Sequence, residues 1–258
     1  MTPLLQEFPY YLLVLARVGC LLFFFPPWDS RLVPVPIKVG AALALTLTLT
    51  PLVESGLPPL PGSGAALAML LLGEFLLGLS LGLVARLIFA GVRMAGNLAG
   101  IQMGFGMVTL IDPGTAEPSS VMEDILFLAA TLIFLAADGH HLLIRILAES
   151  FSQVTVGGIA RLPGPVFHLI LPLAGLMFSL ALKLTAPVLG ALFVANLALG
   201  LVGRALPQMQ IMIVSFPLTI ALGLFFLALT LSLAGPYLVG QFLWLQHPLR
   251  QVLRAWQG

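Results

Sequence analysis

Charge is scarce in this sequence: Asp, Glu, Lys and Arg make up 8% of the 258 residues, against 60% apolar residues. Soluble globular chains are about a quarter charged, so most of these side chains are kept from bulk water by lipid, by other protein or by both. Trp and Tyr are scarce as well, three of each. All six lie toward the ends, Tyr10, Tyr11 and Trp28 on one side and Tyr237, Trp244 and Trp256 on the other. A spanning protein usually carries such residues at both interfaces, so the gap is either chance or the mark of a middle packed in protein. The one cysteine, Cys20, excludes an intrachain disulfide and leaves the redox compartment open. A net charge of +1 without a clustered Lys/Arg face excludes a nucleic-acid footprint. No Lys or Arg precedes Arg17, so the basic n-region of a cleaved secretory signal is missing and the first apolar segment is expected in the mature protein.

The catalytic motifs are missing too. There is no HExxH, no GxSxG, no phosphate loop and no Cys/His ligand spacing. His140 and His141 are adjacent, and on a helix they are expected to point about 100° apart, too far to share a metal. No enzyme, metal or cofactor is expected.

What is present is a series of apolar stretches at roughly 10–25, 37–53, 65–111, 125–147, 166–203 and 211–245, separated by short breaks rich in Pro, Gly or polar residues. Paired prolines end helices by removing donors and fixing φ. With no polar linker between stretches, residues 1–258 are expected to form one all-α, membrane-associated unit. The Leu-Thr alternation at 45–50 has a strand's period of two, but an isolated strand in lipid leaves its backbone unpaired, so a helix is expected. As one helix, 65–111 would extend about 70 Å, against a hydrocarbon core of about 30 Å. It is expected to break or to project beyond the bilayer.

Arg17, Glu74, Arg86, Arg93, Asp138, Arg145, Lys183 and Arg204 fall within or at the ends of apolar stretches. Exposing all of them to lipid would cost more than about 20 kcal/mol, so they must face protein, water or the interface. On a helix Arg86, Arg93 and Asn97 form one polar stripe. It suits snorkelling or a buried contact between subunits, or else the lining of a water-filled path. Asp138, His141 and Arg145, at spacings of three and four, are expected to share a helix face, as a mutually satisfied polar cluster or a proton relay. Asp112, Glu117, Glu123 and Asp124 read as a solvated loop and a helix start.

Residues 91–106, GVRMAGNLAGIQMGFG, place Gly96, Gly100 and Gly104 four apart, and Gly78 and Gly82 repeat the interval upstream. Without side chains at those positions two helix backbones approach closely, which is how helices associate in lipid. The same segment, continued as MGFGMVTLIDPGT, resembles the FliR family of flagellar biosynthesis proteins and their homologues in type III secretion export gates. Arg17-Val18-Gly19 followed by Pro26-Pro27, the run Val35 to Gly40, Asp138-Gly139-His140, and GRALPQMQIMIVSFPL from Gly203 to Leu218 resemble the family in the same order. The chain departs from it at Asn97, where Glu is frequent, and at Gly203, where Asn is frequent. The first change leaves Arg93 without a carboxylate on the adjacent turn.

The resemblance implies a non-enzymatic export-gate subunit that joins FliP-like and FliQ-like subunits in a spiral of helical hairpins, with an FlhB-like subunit, membrane lipid and exported polypeptides as further partners. It implies placement in the bacterial inner membrane and flagellar basal body. It also implies that the loop from Gly104 to Ser119 helps close a channel. Met103, Phe105, Met107, Leu110 and Ile111 would then exclude water, and Gly104 and Gly106 would let the backbone bend. Read without the resemblance, these residues are ordinary helix-end packing. Arg86, Arg93, Asn97, Asp138, His141, Arg145 and Arg204 are expected as buried polar or inter-subunit groups. A homologous virulence secretion subunit and a secondary transporter using Asp138 and Arg93 are the competing expectations. The transporter would show broken-helix repeats, of which only a faint likeness between 42–51 and 226–236 is present.

Overall fold

A computed structural model describes residues 2–25, 28, 33–53, 63–105, 121–157, 164–205 and 211–257. Among these the chain is helical, without strands, as its composition dictates: in a setting without water only internally bonded backbone is tolerated. The helices are α1 (Thr2–Phe23), α2 (Val35–Val53), α3 (Gly64–Met103), α4 (Val121–Ala136), α5 (Gly139–Gln153), α6 (Gly164–Ala205), α7 (Ile211–Trp244) and α8 (Gln246–Gln257). Single prolines do not interrupt them. α1 continues through Pro9, α2 through Pro51 and α7 through Pro217 and Pro236. The Leu-Thr stretch is helical as expected, because the hydroxyls of Thr46 and Thr50 donate to the carbonyls of Ala42 and Thr46 at 2.7 and 2.8 Å and so use their polarity inside the helix.

Gly64–Met103, Val166–Ala205 and Ile213–Gln257 are long and apolar enough to cross a membrane. At about 1.5 Å per residue α3 is about 60 Å long. It stops at Gly104, whose φ of +100° ends the helix in a conformation that suits glycine.

The chain forms two compact units. One comprises Met1–Leu87, Asp138–Ala174 and Phe242–Gly258, the other Ile88–Ala137 and Gly175–Gln241. In the first unit α1 packs along α2, and α8 packs on α5. α8 is amphipathic: Leu249, Val252, Leu253 and Trp256, spaced three, one and three apart, are buried, while His247, Arg250 and Arg254 are exposed. The second unit buries Phe89 against Phe127 and Phe134 in edge-to-face contacts, with centroids 5.9 and 5.4 Å apart.

Candidate functional site

The deepest polar feature lies in the first unit. Arg17, on α1, is fully buried, and its Nε donates to Glu74 Oε2 on α3 at 2.6 Å, with Glu74 also fully buried. The rest of the guanidinium caps the end of α5. It donates to the carbonyl and hydroxyl of Ser150 at 2.9 and 3.2 Å and to the Val154 carbonyl at 3.1 Å, and it lies 4.3 Å from the centre of the Phe151 ring. The other carboxylate oxygen of Glu74 accepts from the Gly157 amide at 2.8 Å. A cation at a helix C-terminus meets carbonyls that lack helical partners, and a buried ion pair is tolerated only when its remaining donors and acceptors are satisfied. The Ser150 carbonyl already accepts the Val154 amide at 2.9 Å and takes the guanidinium as a second donor, while the second oxygen of Glu74 is satisfied by Gly157. Sequence reasoning placed Arg17 and Glu74 among the charges that must find cover. It missed that they find each other, and it missed Ser150, Phe151 and Val154; the available signal was their opposite sign inside apolar runs.

The glycines act at two crossings along α3. A Cβ at Gly78 would stand 2.5 Å from the Arg17 carbonyl oxygen, and one at Gly82 would stand 2.7 Å from Phe24 Cβ, so α1 rests on bare α3 backbone beside the ion pair. In the second unit a Cβ at Gly96 would stand 2.5 Å from Glu123 Cα and 2.7 Å from the Met122 carbonyl oxygen. Gly100 is buried. Close crossing at Gly96 also brings Glu123 within 3.7 Å of Arg93, whose guanidinium lies 4.0 Å from the centre of the Phe127 ring. Arg93 thus receives from α4 the carboxylate that its own helix lacks at Asn97. Glu123, expected as part of a solvated helix start, is instead mostly buried, with 15% of its side chain exposed. Arg86 lies 5.6 Å from the Phe24 ring, and Asn97 is half-buried.

Other expected residues fall differently. Within this chain Asp138, His141, Arg145 and Arg204 are exposed and not buried. The reason is local. The apolar stretch 125–147 breaks at Asp138, whose left-handed backbone (φ 55°, ψ 26°) separates α4 from α5, and α5 turns Leu143, Ile146 and Leu147 inward. Asp138 therefore does not share a helical face with His141 and Arg145, although its carboxylate still lies 3.1 Å from His141 Nδ1. Arg204 occupies the last turn of α6. The adjacent histidines also correct the expectation: their ring centroids are 4.1 Å apart, and one ligand atom from each of Asp138, His140 and His141 lies within 4.8 Å of the others. Both rings belong to the first turn of α5, where side-chain torsions bring them together despite the 100° between their Cβ directions.

Met103 is fully buried in the second unit and so is not a water-facing group. Its side chain fills the space left by Gly223, where a Cβ would stand 2.5 Å from Met103 Cγ, and its carbonyl accepts from the Thr219 hydroxyl at 3.2 Å. Phe105 is half-buried beyond the turn at Gly104. Gly106, Met107, Leu110 and Ile111 lie outside the described residues.

Three membrane-length helices, a buried polar node and glycine-seated crossings define a helical protein of membrane type. Residues 8–243 match the family described as bacterial export proteins, family 1. The chain is 34% identical to the flagellar biosynthetic protein FliR of Pectobacterium carotovorum subsp. carotovorum, over 86% of this chain and 84% of that one. It is 33% identical to the FliR of Escherichia coli K12, over 88% and 86%, and 31% identical to that of Bacillus subtilis 168, over 90% of each. The chain belongs to this FliR family of bacterial export proteins.

Proposed function

We propose that this protein is a structural and gating subunit of the flagellar protein-export channel, working in the bacterial inner membrane and basal body beside FliP-like, FliQ-like and FlhB-like subunits. The observation that carries the reading is the pairing of a family match over residues 8–243 with bare apolar helices. Of the most apolar 18-residue window of α6 only 11% is buried within the chain, against 44% for α3. Phe167, Phe193, Val194 and Leu201 on α6 and Phe225 and Leu233 on α7 are exposed. Surface of that extent is covered by lipid or by other subunits, and partner helices suit an assembly whose name is export.

In this reading Phe105, Gly106, Met107, Leu110 and Ile111 form the movable apolar plug, anchored by Met103 inside the second unit. Exported polypeptide passes when those groups part, and water is excluded when they close. Arg86, Arg93, Asn97, Asp138, His141, Arg145 and Arg204 face other subunits or the channel. The chain does no covalent chemistry. Co-expression with and without the FliP-like and FliQ-like proteins tests the assembly: recovery in a mixed complex is expected, and a solitary monomer that transports a small solute in vesicles would overturn it. Deleting 105–111 tests the plug. The closed complex should then leak ions in planar bilayers, and unchanged conductance removes the plug assignment.

A further inference from the structure

We infer that Asp138, His140 and His141 form a binding site for a divalent transition-metal ion of the Zn2+ class. The three residues lie in the first unit, at the start of α5, and none takes part in the Arg17–Glu74 node. One ligand atom from each lies within 4.8 Å of the other two, and His141 Nδ1 and Asp138 Oδ1 are already 3.1 Å apart. Ligands about 2.0–2.1 Å from a tetrahedral ion stand about 3.3 Å from one another. The Asp138–His141 pair therefore has the required spacing, and the His140 ligand atom, within 4.8 Å of both, has to close the remaining distance by side-chain rotation. Two imidazoles and a carboxylate form a donor set suited to Zn2+, Ni2+ or Cu2+ and unsuited to Ca2+ or Mg2+, which take oxygen shells.

Two further observations separate this cluster from a chance grouping of surface residues. Asp138 occupies the N-cap of α5 but makes no side-chain capping bond. An Asp at that position ordinarily accepts from the backbone amides of the first turn; here its carboxylate faces His141 instead. His140 Nδ1 is shielded from solvent and has no hydrogen-bond partner. A buried imidazole nitrogen without a partner bears the cost of lost hydration, and coordination through that nitrogen would remove that cost. The partial positive charge of about half a unit at the start of α5 opposes a cation, but the full negative charge of Asp138 outweighs it. Three protein ligands leave at least one coordination position open.

The test uses the full-length protein in detergent micelles, purified without a polyhistidine tag and titrated with Co2+ as a spectroscopic stand-in for Zn2+. One equivalent should bind with the intense visible bands of four-coordinate Co2+, and Zn2+ should bleach them. His141→Ala and Asp138→Asn should each weaken binding at least as much as the roughly 10–100-fold that loss of an outer-shell partner costs at known metal sites. The side chains of His141 and Asp138 are 67% and 75% exposed, so these variants keep the fold, and far-ultraviolet circular dichroism checks it. His168→Ala and His247→Ala remove the other two histidines and should leave the bands unchanged. Absence of stoichiometric Co2+ binding, or binding that survives His141→Ala, would overturn the assignment.

Discussion

The indole of Trp256 on α8 donates to the hydroxyl of Ser80 on α3 at 3.2 Å, across 176 residues of sequence. Around that bond α8 closes the first unit, with Leu249, Val252 and Leu253 fully buried and Arg250 paired to Glu149 at 3.2 Å. Trp256→Phe keeps most of the apolar contact and loses the bond, which should cost about 1 kcal/mol. Trp256→Ala should cost about 3–5 kcal/mol. Thermal unfolding of the detergent-solubilised protein reads both, and equal losses would mean that the bond to Ser80 contributes most of the effect.

Breaking the Arg17–Glu74 pair from one side strands the other charge in the interior. Arg17→Met is expected to destabilise the first unit by about 3–5 kcal/mol, and Glu74→Met by a similar amount. The double variant should lose clearly less than the two single losses combined, because neither charge is then left alone. Protease resistance in detergent is a sufficient measurement. Additive losses would show that the two residues do not act as a pair.

The second ion pair should behave differently. Arg93 and Glu123 are 3.7 Å apart, with 32% and 15% of their side chains exposed. Water screens them, and Glu123→Gln should cost about 1 kcal/mol or less. The same variant in the presence of partner subunits reports whether Glu123 also serves assembly, since loss of co-purification without loss of stability would place it at an interface.

Glycines on α3 and α6 should also part company. Gly96→Val puts side-chain atoms where Glu123 Cα and the Met122 carbonyl now stand, and it should unseat α4 from α3. At Gly190 a Cβ meets nothing within 4 Å, so Gly190→Ala should raise the isolated chain's stability by up to about 1 kcal/mol through helix propensity. If α6 is seated against another subunit in the assembly, the same substitution should reduce recovery of the complex while the lone chain improves. Size-exclusion profiles of both preparations decide it.

How much of this was legible in the sequence depended on the kind of interaction involved. Helices were legible because apolar runs of membrane length permit little else, and the Leu-Thr stretch followed from the same constraint. The close contacts at Gly78, Gly82 and Gly96 were legible as glycine spacing, though the elements that rest there, α1 and α4, were not. The break at Asp138 was hidden because Asp neither fixes φ as Pro does nor enters the left-handed region freely as Gly does. Arg17 and Glu74 could be counted as charges needing cover, but their pairing depends on which distant helices meet. Met103 read as a flexible gate residue because its small neighbour, Gly223, lies 120 positions along the chain.

The route by which Arg17 is satisfied sets a timetable for synthesis. Its carboxylate partner emerges 57 residues later, and its carbonyl acceptors at Ser150 and Val154 follow after 133 and 137. At about 5–20 residues per second, that interval lasts roughly 7–27 s. Until Glu74 arrives the full positive charge, and afterwards the guanidinium's unfilled donors, must be held by water, by lipid headgroups or by the insertion machinery, which gives the nascent first helix a reason to stay near the membrane surface until the fifth has been made.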